Sequence, residues 1–395
     1  MVFIFTSCMV KIFVKKIKMN NIILIINEYK NNYSNNCFTI PVYKLRIFLL
    51  FQIVTCFLLL SFIKKTVNGA SLRNLLYNFR QASVDSYIDI PSLISIMRLI
   101  CLTSTYFWIY LITYENRFIK ANKKKKALTL CNLGVSVSIS LLLGARGGIV
   151  SYLVFGVLLF FVFRIDKSKI NFSLMLRIIL ILTVGVILFQ NFGRALGREL
   201  NYSNLDYIAI YLSAPIKNLD LVFEENKFGL ITGISDKGLA TNQTFRMIIN
   251  YIAISYNKME LYQNPYSAFP YRHVNGYMLG NCYTAYYYFL YDGGWLALVV
   301  GVMFMATVSQ LLYQHVEKDL SCKSCEVKLS VIIYFIIYYC LVFSFFAAMF
   351  YVNIFSISFI RELIILMLLK IFFYRSFSNI KFKNHKIIFQ KYSNY

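Results

Sequence analysis

Apolar runs of about twenty residues recur along most of this 395-residue chain, and runs of that length leave few folds open. Lipid satisfies no backbone polar group, so only helices and closed barrels can span it. A barrel needs short alternating segments, and that pattern is absent here. Eight candidate spans stand out: Ile47–Ile63, Ile94–Thr113, Ala127–Leu143, Ile149–Phe163, Leu174–Gln190, Trp295–Tyr313, Leu329–Val352 and Ile354–Phe373. Two of them, Ile47–Ile63 and Ile149–Phe163, are short and need flanking residues to reach both interfaces. The expected fold class is an all-α polytopic membrane protein with about 8–10 transmembrane helices and one large external loop. A 58% hydrophobic and 15% charged composition agrees, since soluble domains lie nearer one half and one quarter.

One block breaks the pattern. Gly193 to Asp292 holds 8 of the 17 acidic residues but only 8 of the 41 basic ones, and no run in it is long enough to span. The remaining basic residues gather in short connections between apolar runs. Lys123–Lys126 form one such cluster, and Arg164, Lys167, Lys169 and Arg177 form another. The N-terminus carries Lys11, Lys15, Lys16 and Lys18, and the end of the chain carries Arg375, Lys381, Lys383, Lys386 and Lys391. Alternating the eight spans puts all four groups on one side and the polar block on the other. The net charge of +24 therefore reads as positive-inside bias and not as a nucleic-acid footprint. Lys64 and Lys65 are the exception, falling outside.

The organisation expected is a basic N-terminal region over 1–46, cytoplasmic or partly membrane-associated, then five spans over 47–192. The external, periplasmic loop covers 193–292, three spans follow over 293–373, and a basic cytoplasmic tail covers 374–395. Within the loop, Leu205, Ile208, Ala209, Leu212, Ile216, Leu219 and Val222 recur at helical spacing. They predict an amphipathic helix over Tyr202–Glu225, interrupted or kinked at Pro215. Phe245–Tyr256 reads as a second helix, and Asn264–Pro270 as a loop. Cys322-x-x-Cys325 has no second pair, which favours reduced thiols over zinc.

Several outward residues bear on chemistry. Arg146 sits among glycines in Leu143-Gly-Ala-Arg-Gly-Gly148. Its planar fork matches phosphate oxygens, although a turn arginine reaching lipid headgroups has the same sequence signature. Arg194 and Arg198 lie one helical turn apart just after a span, and suit either a lipid diphosphate or ordinary headgroups. Arg272 and His273 form a third candidate. His273 is the one histidine on the outer side and can take a proton from a sugar hydroxyl, or be idle. Asp292, in Tyr291-Asp-Gly-Gly294, can position an acceptor hydroxyl or cap a helix. Arg361 and Glu362 lie at membrane depth, where ionisable groups are either functional or paired for structure. There is no Walker loop, dinucleotide fingerprint, His-Glu-x-x-His or Gly-x-Ser-x-Gly, so no nucleotide, cofactor or metal is expected.

Four stretches give the chain a likeness. They are Leu142–Gly148, Tyr211-Leu-Ser-Ala-Pro-Ile-Lys-Asn-Leu-Asp220, Asn281-Cys-Tyr-Thr284 and Tyr291-Asp-Gly-Gly294. With the single large outer loop, they make Leu128 to Tyr313 resemble the oligosaccharide repeat-unit polymerases, the Wzy-type O-antigen or capsule polymerases of bacteria. The resemblance implies a multi-pass protein of the cytoplasmic (inner) membrane with both termini in the cytoplasm. It implies a glycosyltransferase that joins undecaprenyl-diphosphate-linked repeat units into O-antigen, capsular or exopolysaccharide at the outer face. Arg146, Arg194, Arg198 and Arg272 would then hold diphosphate, and His273 or Asp292 would orient the acceptor. The implied partners are lipid-linked glycans, the bilayer, a chain-length regulator and a flippase, with no nucleic acid. An O-antigen ligase shares this layout and is one alternative. A lipid-linked glycan flippase is another, although it calls for polar residues along the spans.

Overall fold

The computed structural model describes residues 2–21, 40–69, 71–84, 88, 90–118, 122–142, 146–164, 176, 204–226, 228–234, 242–263, 269–321, 327–374, 380–383 and 386–389. The chain is mostly helical. The first six helices are α1 (Val2–Asn21), α2 (Val42–Thr66), α3 (Leu72–Val84), α4 (Ser92–Phe118), α5 (Lys123–Leu142) and α6 (Arg146–Arg164). The polar block supplies α7 (Asn204–Glu225), α8 (Arg246–Ser255) and an antiparallel hairpin, β1 (Arg272–Val274) with β2 (Tyr277–Gly280). Then come α9 (Ala285–Ser321), α10 (Leu329–Val342), α11 (Met349–Ile354) and α12 (Ile357–Tyr374). A second hairpin, β3 (Ile380–Lys383) with β4 (Lys386–Phe389), closes the described chain.

Among the described residues, three helical segments are long and apolar enough to cross a membrane: Val42–Thr66, Ser92–Tyr114 and Ala285–Glu317. They coincide with three of the eight expected spans. Gly147–Phe163 and Leu329–Phe345 are apolar but shorter. The expected span Leu329–Val352 is not one helix. It stops at Val342, makes a 3-10 turn over Phe343–Phe345 and resumes only at Met349. The span Leu174–Gln190 lies outside the described residues, apart from Leu176. Within the basic region 1–46, Val2–Asn21 form α1, which packs against α9.

Helices α2, α4 and α5 pack through a polar seam. The buried stripe of α2 contains Gln52, and that of α5 contains Asn132 and Ser136. Gln52 Nε2 donates to Ser136 Oγ at 2.6 Å and to Ser104 Oγ at 3.3 Å. Trp108 Nε1 donates to the same Ser104 Oγ, and Asn132 Nδ2 donates to the Leu45 carbonyl. Small and polar residues suit such seams, because they let backbones approach and bond across helices in lipid. Below the seam Phe48, Phe107, Trp108 and Phe373 form one ring cluster with centroids 5.2 to 5.6 Å apart.

Contacts at the helix ends fix which ends share a layer. Lys44, at the start of α2, donates from Nζ to the Phe372 carbonyl near the end of α12. The Lys328 amide, just before α10, donates to Tyr110 Oη near the end of α4. The Lys328 ammonium pairs with Asp319 near the end of α9. Because Leu45 meets Asn132 and Gln52 meets Ser136, α2 and α5 run in the same direction. The start of α5, with its four lysines, therefore joins the same layer. The end of α5, the start of α6 and the start of α9 lie at the opposite end.

Candidate functional site

The polar block builds a cap at that opposite end. Its helix α7 is not interrupted at Pro215; the proline sits inside a continuous helix. One face of α7 holds the hairpin. Asn218, fully buried, donates from Nδ2 to the Cys282 carbonyl at 2.8 Å and the Gly280 carbonyl at 3.3 Å. Two turns on, Glu225 meets Arg272 of β1, whose guanidinium forks onto both carboxylate oxygens. Residues seven apart share a helix face, so one face of α7 grips both strands. The hairpin turns at Asn275-Gly276, where both residues have positive φ (49° and 80°). That is the conformation a two-residue hairpin turn demands.

Arg272 is thus committed within the protein. Besides Glu225, its Nε donates to Tyr283 Oη at 3.0 Å, and Tyr283 donates on to the Pro270 carbonyl. The hydrogen bond from Arg272 holds the Glu225 carboxyl below its usual range, and the same bond raises Arg272. Burial pushes the Tyr283 phenol up, against the pull of Arg272. His273, its neighbour on β1, points away from this cluster and is exposed.

Tyr283 begins a ladder of rings. It stacks on Tyr287 at 4.6 Å, and Tyr287 approaches Tyr291 at 5.8 Å. Phe269 fills the angle between Tyr283, Tyr287 and Tyr288. The i, i+4 spacing puts these tyrosines on the side of α9 that faces the hairpin.

Asp292 ends the first two turns of α9. Its Oδ1 accepts from the Gln243 amide, and its Oδ2 accepts from the Thr244 amide and the Thr244 hydroxyl, at 2.8, 2.8 and 2.5 Å. It therefore ties down the turn that leads into α8. Directly after it the helix breaks at Gly293 and Gly294, the latter with φ of 61°. The segment 229–234 fills the break. The Leu296 amide donates to the Leu230 carbonyl at 2.8 Å. A Cβ on Gly294 would stand 2.3 Å from the Gly229 oxygen, and one on Gly233 would stand 2.2 Å from the Tyr291 oxygen. Only glycines let these backbones meet.

Arg146 is the first residue of α6, at this same end. Gly148 beside it lies where a Cβ would come 3.0 Å from Ser140 Oγ of α5. Arg194 and Arg198 lie outside the described residues. The cap thus joins Arg272 to its hairpin partners and Asp292 to the α8 turn, and leaves His273 at the surface. Sequence reasoning does not find Glu225, Asn218, Tyr283 or Thr244 as the groups that position them. The seven-residue spacing of Asn218 and Glu225 is the available signal. Two buried oxygens of the cap, Asn218 Oδ1 and Thr284 Oγ1, have no hydrogen-bond partner among the described residues. No family model, curated protein or solved structure matches this chain.

Proposed function

We propose that the chain is a membrane glycosyltransferase that joins lipid-diphosphate-linked oligosaccharide repeat units at the outer face of a bacterial cytoplasmic membrane. One observation carries the reading. Three of the four stretches on which the family likeness rests are spread from Tyr211 to Gly294, yet they are bonded into one unit. Asn218 of the first binds the Cys282 carbonyl of the second. The second runs into α9, where Asp292 and Gly294 of the third anchor segments 242–245 and 229–234. The fourth stretch, around Arg146, lies at the same end of the bundle.

The chemistry asked of such a site is modest. An acceptor sugar hydroxyl attacks the anomeric carbon, the C–O bond to diphosphate breaks, and the lipid diphosphate leaves with the electron pair. Cations stabilise the charge on the leaving group, and a base or water takes the hydroxyl proton. Arg146, Arg194 and Arg198 are the proposed diphosphate holders, and His273 is the proposed partner of the acceptor. Arg272 and Asp292 serve as positioning residues, since protein partners already occupy their charges. The buried oxygens of Asn218 and Thr284 are of the kind a sugar hydroxyl can satisfy.

The test is to replace Arg146, Arg194 and Arg198 singly by alanine in a host lacking its own copy, and to run the polysaccharide on a gel. The expected result is loss of the polymer ladder with single repeat units still transferred. Unchanged polymer amount and length in all three variants overturns the assignment. A deletion strain with a bare lipid core identifies a ligase instead.

A further inference from the structure

Helix α8 turns its apolar residues outward. Met247, Tyr251 and Ile254 follow the i, i+4, i+7 spacing of one stripe, and all three are exposed, Ile254 by 62%. Ala253, on the other side, is buried. The apolar surface continues beyond the helix through Tyr256 and Met259, each more than half exposed. No acidic residue lies in α8. Its basic groups flank it. Arg246 donates to Gln243 Oε1 at 3.1 Å, and Lys258 stands exposed just past the end.

The position of α8 sets this stripe beside the apolar run of α9. Its leading turn is held by Asp292, and the apolar run of α9 begins three residues later at Trp295. The start of α8 and the start of the apolar run of α9 therefore lie at one level. Phe245 reaches deeper. Its ring packs on Tyr351 at 5.8 Å and Phe355 at 5.4 Å, and both of those pack on Phe304. At the α-helical rise, Phe304 lies about 13 Å along α9 from Trp295. Phe304, Met303 and Val300 are exposed on α9, on a face that meets acyl chains if α9 crosses a bilayer. The exposed stripe of α8 is joined to that face through packed rings.

We infer that α8 lies in the interfacial zone of the outer leaflet, with Met247, Tyr251 and Ile254 among acyl chains and Arg246 and Lys258 at headgroup phosphates. Interfacial helices sink an apolar face about 5–10 Å into this zone, and tyrosine favours it. The inference rests on α9 crossing the membrane, and not on any catalytic role. It makes the cap a structure that leans on lipid, so that a lipid-linked ligand reaches it sideways.

The full chain carrying W295F keeps a single native tryptophan, the fully buried Trp108. In that background I254W and Y251W are reconstituted separately in phosphatidylcholine vesicles with plain or acyl-brominated chains. V300W reports the lipid-facing side of α9. The expected result is that bromine quenches I254W and Y251W to an extent comparable with V300W, with blue-shifted emission. Quenching of V300W with neither α8 variant quenched overturns the inference. Absence of quenching at V300W as well removes the spanning role of α9 and the inference with it. Size-exclusion profiles matching the parent show that each variant is folded.

Discussion

Asp292 is satisfied within the protein by the turn that leads into α8. Its carboxylate accepts three hydrogen bonds from residues 243 and 244. Asp292→Ala leaves two backbone donors unpaired, which costs about 2 kcal/mol or more. Asp292→Asn keeps one acceptor oxygen and costs less. Thermal unfolding in detergent is therefore expected to rank wild type above Asn above Ala, with polymer formation following the same order. An Asn variant that folds like wild type yet makes no polymer would restore a direct chemical role. The ion pair of Arg272 and Glu225 gives a pH signature. Its carboxyl is depressed in the folded state, so its contribution is present above the unfolded pKa and is lost only as pH falls through the lower folded value. The protection factors of the β1 and β2 amides, exchange corrected for its intrinsic pH dependence, should stay flat from neutrality into the ordinary carboxylate range and fall below it. E225Q should abolish that acid limb, with only a small change at pH 7, because Glu225 is half exposed.

At the scale of elements, the legible features are those with long-range periodicity. The windows for α2, α4 and α9 are clear because an apolar run needs no partner to be recognised. The length of α9 is not, since its first two turns carry the polar contacts of the cap and only the glycine pair separates them from the apolar run. The break after Val342 is also hidden. Phe343-Ser-Phe-Phe-Ala-Ala348 is as apolar as its flanks, and only tertiary packing turns it into a 3-10 turn. The β1–β2 hairpin has a local signal in Asn275-Gly276, but its strands are three and four residues long and alternate too briefly to register. The glycine junction yields a paired prediction. Gly294→Ala forces a Cβ into the Gly229 carbonyl at positive φ, a strain of about 2 kcal/mol or more. Gly134, inside α5, has no neighbouring atom within 4 Å of the place an added Cβ would take, and Gly134→Ala should stabilise by about 0.5–1 kcal/mol. Melting temperatures of the two variants should move in opposite directions.

For the whole molecule, the arrangement of helix ends and the distribution of charge converge. The layer that gathers the start of α2, the end of α4, the start of α5 and the start of α10 holds Lys44, Arg46, Lys123–Lys126 and Lys328. The opposite end holds the charge-balanced cap, with Lys64 and Lys65 as the contrary pair at the end of α2. Positive-inside bias is set by the sum of basic residues in short connections, and two exposed lysines are outweighed by the cluster before α5. The cap is then expected to face away from the cytoplasm. Alkaline phosphatase fused after Lys258 should be active in cells, and green fluorescent protein fused after Ser321 should fluoresce, because α9 separates the two points. The reverse pattern would place Arg272, His273 and Asp292 on the side where lipid-linked repeat units are assembled and not where they are joined, and the polymerase proposal would not survive it. Raising the outer charge by Asn68→Lys and Asn78→Lys, two polar positions in a connection that already carries Lys64, Lys65, Arg73 and Arg80, should leave the pattern intact if the four lysines before α5 govern orientation.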